Sequence, residues 1–92
     1  MTQIKDLPQN TFAKVYHFDK EKLECFREEY LSQFNIPNNT KYFSVCYIHD
    51  DNSGDVLSVG YSLCRSTDTP RRKLGFQIAW NRAVDNFKSD RA

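Results

Sequence analysis

"KYFSVCYIHDDNSGDVLSVGYSLC", residues Lys41 to Cys64, is the stretch that decides how this chain folds. Its two halves alternate along their length, and successive side chains of a strand point to opposite faces. Between them "DDNSGD" supplies turn-forming side chains and a glycine free to take positive φ, so the stretch predicts a β-hairpin. One face gathers Phe43, Val45 and Tyr47 with Leu57, Val59, Tyr61 and Leu63, an apolar wall. The other gathers Ser44, Cys46, Ser58, Gly60, Ser62 and Cys64, which are nearly all small. Such a face admits the close approach of another backbone: a helix of this chain, a second copy or a ligand.

Upstream, "TFAKVYHF" carries the β-branched and aromatic residues of a strand and stops at Asp19. Asp19 suits an N-cap, and Phe18 and Leu23 occupy the two positions of a hydrophobic staple. A helix is then predicted over "DKEKLECFREEYLSQF", with Leu23, Phe26, Tyr30 and Phe34 at helical spacing, ending at Pro37.

Downstream, Ser66, Thr67, Asp68 and Thr69 favour capping and Pro70 suits a first helical turn, predicting a second helix from about Pro70 to Lys88. Its stripe of Phe76, Ala79, Trp80, Ala83 and Phe87 is expected to cover the apolar wall of the hairpin. Gly75 lies on a different stripe with Arg71, Leu74, Ile78 and Arg82. It costs roughly 1 kcal/mol of helix propensity relative to alanine, which close packing would offset. The predicted fold class is α+β: strand-helix-strand-strand-helix, a small, mostly antiparallel three-stranded sheet packed with two helices, at most one of them on the small-residue face.

With 92 residues, 39% hydrophobic and 14% aromatic, the chain reads as a single domain spanning 1–92 and not as a disordered segment. A net charge of +1 excludes both a strongly basic nucleic-acid tail and an acidic DNA mimic. The charge is nevertheless segregated: Lys and Arg against Asp and Glu give 5 − 6 = −1 over 1–35, 1 − 3 = −2 over 36–64 and 7 − 3 = +4 over 65–92. No apolar run could span a bilayer and "MTQIKDLPQN" lacks a signal-peptide core, so no membrane partner and a cytoplasmic location are expected. Cys25, Cys46 and Cys64 form no C-x-x-C pair and read as reduced thiols.

The basic end holds the candidate binding residues. Free N–H groups at a helix start carry partial positive charge, so Arg71, Arg72 and Lys73 beside them, with Arg65 and Arg82, could hold a phosphate of RNA or DNA or a carboxylate of an acidic protein. Arg82 could instead pair with Asp85 or a carboxylate of the first helix. In the protein-partner case Tyr42 or Trp80 would serve as aromatic anchors. Gly60 and Gly75 are close-approach positions.

Other constellations predict no catalysis. His17, His49, Cys46 and Cys64 lack a metal-ligand spacing, and the histidines read as strand residues at a surface. "DDNSGD" has its glycine one residue early and no closing glutamate for a calcium loop. Glu21, Glu24 and Glu28 form a solvated helix face. The expectation is no enzyme, no metal and no cofactor.

Asp68, Arg72, Lys73, Gly75, Ile78, Ala79, Arg82 and Ala83 make the pattern D-x-x-x-R-K-x-G-x-x-I-A-x-x-R-A. Over about 20 residues it resembles the C-terminal segment of small accessory proteins of tailed bacteriophages, assigned to host takeover and counter-defence. The resemblance implies a non-enzymatic binding protein that interferes with a host factor in the host cytoplasm. Its partner would be RNA or DNA, or else a host defence or toxin protein. A homodimer is also expected, joined through the small-residue face and the notch at Gly75.

Overall fold

The computed structural model describes residues 4–19, 21–25, 34, 36, 40–65 and 72–91; for residues 64, 65, 72, 73, 90 and 91 it describes the backbone. The chain forms β1 (Thr11–Asp19), α1 (residues 21–25), β2 (Thr40–Asp50), β3 (Val56–Arg65) and α2 (Arg72–Arg91). The three strands make one antiparallel sheet in the order β1-β2-β3. This is the α+β arrangement read from the sequence, with strand, helix, strand, strand and helix in that order. No helix among the described residues is long and apolar enough to cross a membrane.

The turn of the hairpin closes on itself. The Asp50 amide donates to Asp55 O and the Gly54 amide to Asp50 O, each at 2.8 Å, and Gly54 adopts φ 77°, which glycine tolerates without strain. The Asp50 carboxylate accepts from the amides of Asn52 and Ser53, so its charge is spent on the turn's own backbone. A bulge at Leu57 follows, because Ile48 faces Ser58 while His49 faces Val56. At the other end of β1, Asp19 caps α1 by accepting from the Lys22 amide at 2.9 Å, and the staple pair Phe18 and Leu23 are both buried.

Each sheet face has its own core. On the aromatic face, Phe18, Phe43 and Val45 pack with Leu23, Phe34 and Ile36. Phe34 sits 5.5 Å from Phe43 and 4.8 Å from Tyr61, ring centre to ring centre. On the small-residue face, Cys46 and Ile48 pack with Ala79, Ala83 and Val84 of α2, flanked by Leu7, Ala13, Val15, Trp80 and Phe87.

Helix α2 therefore lies on the face opposite the one its aromatic stripe was expected to cover. The physical reason is backbone proximity. A Cβ placed on Gly60 would come within 2.2 Å of Ala83 N and 2.5 Å of Ala79 O, so only glycine lets the helix backbone come so close. The ridge Gly75, Ala79, Ala83 climbs α2 in steps of four residues, about 6 Å each, while Ser62, Gly60, Ser58 descend β3 in steps of two, about 6.8 Å. The two repeats match closely enough for three successive contacts. Ser62 Oγ donates to Gly75 O at 3.0 Å and Ser58 Oγ to Ala83 O at 2.7 Å, so the buried hydroxyls of β3 are satisfied by helix carbonyls. The same packing fills the surface on which a homodimer was expected, and Gly75 is turned inward against Ser44 and Ser62.

Gly60→Ala should destabilise the fold by about 3 kcal/mol or more, since the methyl meets backbone atoms that cannot rotate away. Gly75→Ala should change stability by no more than about 1 kcal/mol, because its Cβ would meet side-chain oxygens at 3.0 and 3.3 Å while helix propensity improves. Urea unfolding of the two variants measures the contrast.

Candidate functional site

Of the basic residues read from the sequence, Arg82 alone has its side chain among the described residues. Arg71 lies outside the described residues, and so do the side chains of Arg65, Arg72 and Lys73. Arg65 closes β3, paired with Thr40, and Arg72 opens α2. Arg82 is described, and its guanidinium is turned back on the fold. Its Nη1 donates to Tyr61 O at 2.8 Å, and one turn along α2 Asn86 Nδ2 donates to Val59 O at 2.8 Å. Both carbonyls lie on the outer edge of β3, so the two side chains cap an otherwise open strand edge. Asp85 is not the partner of Arg82; it pairs with Lys5 Nζ at the surface.

Neither expected aromatic anchor is a free surface ring. Trp80 Nε1 donates to Lys5 O at 2.7 Å, and the Lys5 amide donates to Asn81 Oδ1 at 2.8 Å. The segment before β1 thus straps across α2, with Leu7 against the core beneath. Tyr42 is half-buried and engaged. The strap has no periodic signature in "MTQIKDLPQN", because backbone groups of Lys5 hold it.

The histidines occupy structural positions. His17 is half-buried, not a surface strand residue, and its Nδ1 lies 2.8 Å from Ser44 Oγ. A serine and a histidine in contact could suggest a nucleophile and its base. Ser44 is only 2% exposed, however, and Gly75 of α2 packs over its hydroxyl, so no substrate reaches it. His49 Nδ1 lies 3.0 Å from Gly54 O and braces the turn. Among the described residues no group of three or more His, Cys, Asp or Glu side chains could hold a metal ion. A recess of about 330 Å³ lies along the outer edge of β3, lined by Val56, Leu57, Ser58, Val59 and Asn86. Its one hydroxyl is already donated to Ala83 O.

The surface with binding character lies on the aromatic face, beyond the part that Leu23, Phe34 and Ile36 cover. There Tyr16, Tyr47, His49 and Phe12 form a chain of rings. Tyr16 meets Tyr47 edge-on at 6.0 Å, Tyr47 lies 6.4 Å from His49, and His49 stacks on Phe12 at 4.9 Å. Lys14 holds its ammonium 6.0 Å from the centre of the Phe12 ring. Tyr16 is 44% exposed although it is one of the larger apolar side chains of the sheet. The alternation of β1 and β2 gave a signal for this surface: Phe12, Tyr16, Tyr47 and His49 all have the parity of the aromatic face.

No protein family matches the chain, and neither does any curated protein or solved structure.

Two side chains give direct tests. Cys46 is fully buried, and burial pushes its thiol up to about 11 from 9.0. Peptide mapping after alkylation of the native protein should find Cys25, which is exposed, modified and Cys46 protected. Because the folded state holds the Cys46 proton more tightly than the unfolded chain, its contribution to stability is intact below pH 9 and is lost as pH rises from 9 to 11. Arg82→Gln should lower stability by up to about 1 kcal/mol through loss of the bond to Tyr61 O, read by thermal unfolding.

Proposed function

We infer that this chain is a non-enzymatic binding protein that acts by occupying the surface of a host protein, in keeping with the phage-type accessory role its C-terminal pattern implies. The observation that carries the reading is the half-open aromatic face of Tyr16, Tyr47, His49 and Phe12. The exposed Tyr16 ring beside the half-buried Phe12 and Tyr47 rings, all held rigid on a sheet, has the character of an interface anchor, since such rings bury a large area with little loss of side-chain freedom.

Electrostatics favour a protein over nucleic acid at this face. The turn adjoining His49 carries the exposed carboxylates of Asp51 and Asp55, which repel a phosphate backbone. Arg82, one of the cations proposed for phosphate contact, spends a donor on Tyr61 O. Binding through the basic start of α2 is the competing reading, and it predicts a different pattern of loss.

The test is capture of partners from a bacterial lysate by the wild-type protein and by Tyr16→Ser, each with and without nuclease. The expected result is a protein that survives nuclease and is lost, or weakened at least tenfold, with Tyr16→Ser. Capture abolished by nuclease and indifferent to Tyr16→Ser would replace this reading with nucleic-acid binding. An Arg71→Gln, Arg72→Gln, Lys73→Gln variant would then flatten the salt dependence by about one unit per lost phosphate contact.

A further inference from the structure

The two edges of the sheet are finished differently. On the outer edge of β3 the carbonyls of Val59 and Tyr61 are capped by Asn86 and Arg82. The direction of those carbonyls fixes the rest of the sheet. Tyr61 faces Val45 with its carbonyl turned away from β2, so the backbone groups of Val45 turn towards β1, where they meet Tyr16. The backbone of Tyr16 thus points into the sheet, and that of Ala13 and Val15 points out of it. Among the described residues nothing hydrogen-bonds these outward groups of Ala13 or Val15. Along Ala13 and Val15 the edge of this nine-residue strand, which has no proline or bulge, is thus open among the described residues.

We propose that the open edge of β1 pairs antiparallel with β1 of a second copy, about a two-fold axis through Val15, to join two sheets into one of six strands. Three features of the strand support this occupant. The register centred on Val15 uses all nine residues and makes Val15 its own partner, in the hydrogen-bonding orientation derived above. It sets Lys14 opposite Tyr16 of the other copy, twice by symmetry, at the closely spaced pair positions. Both side chains are exposed in the single chain, and an ammonium against a tyrosine ring is a favourable contact. Shifting the axis to Lys14 would instead oppose two ammonium groups.

A lysine in the middle of an edge strand ordinarily discourages strand addition. Here it discriminates, since Lys14 is accommodated where the incoming strand offers an aromatic ring at the matching position. One strand pair buries less than the roughly 1,200–2,000 Å² of a standard interface, so the dimer should dissociate in the micromolar range.

Sedimentation equilibrium of the full chain from about 10 to 500 µM tests the proposal, with folding of each variant checked by circular dichroism. The wild type should approach twice the 10.8 kDa monomer mass. Tyr16→Lys, which opposes lysine to lysine twice, should weaken association at least tenfold. The double change Lys14→Glu with Tyr16→Lys should restore it to within about threefold by placing opposite charges across the axis. If Tyr16→Lys does not fold, Lys14→Glu and Lys14→Ala serve in its place, each expected to weaken the dimer. A wild type monomeric throughout, a dimer indifferent to these changes, or a double variant that stays monomeric would each overturn the proposal. Capture of a host partner by a monomer would leave the binding reading intact while removing this one.

Discussion

Everything on one side of the sheet depends on the contact between Gly60 and the backbone of α2 at Ala79 and Ala83. No other residue type fits there, because a single methyl would overlap helix backbone atoms. The contact sets the depth of the helix, and depth determines what the neighbouring residues can reach. Ser58 and Ser62 lie close enough to donate to helix carbonyls, and Arg82 and Asn86 close enough to reach over the sheet edge to Tyr61 and Val59. A helix held farther out would leave the serines buried without partners and the β3 edge bare.

Seating α2 so deeply removes one face of the sheet from any external role. The small residues of β2 and β3 are used up by the helix. Trp80, on its flank, is used up by the N-terminal strap. On the opposite, aromatic face α1 and its neighbours cover the Phe18 and Phe43 end. Beyond that end Phe12, Tyr16, Tyr47 and His49 stack along the strands as a row of rings, with Tyr16 exposed.

The hairpin, β1 and the cap of α1 were legible because each rests on a local signal: alternation, a turn with glycine, an aspartate three residues before the amide it caps. The small-residue face was legible as a place of close approach, but not what would approach it. A helical stripe of Phe76, Trp80 and Phe87 invites the expectation that aromatics face the nearest apolar wall. The contact instead belongs to Gly75, Ala79 and Ala83, whose lack of bulk carries little weight in a hydrophobic pattern. Residue size, matched between a helix stepping by four and a strand stepping by two, was the informative quantity. The bond between His17 and Ser44 and the strap at Lys5 link residues far apart in sequence, and single-chain periodicity has no access to such pairs.

The asymmetry of the sheet follows from the same geometry. Helix α2 lies mainly over β3 and β2, so its polar flank finishes the β3 edge and does not extend to the far edge of β1. A helix placed centrally over three strands could have guarded neither edge with short side chains. A helix displaced towards β3 caps the Val59 and Tyr61 carbonyls of that edge and, among the described residues, leaves the outward backbone groups of Ala13 and Val15 on the other uncapped. The position of a single glycine in β3 therefore bears on which edge of the sheet the helix caps.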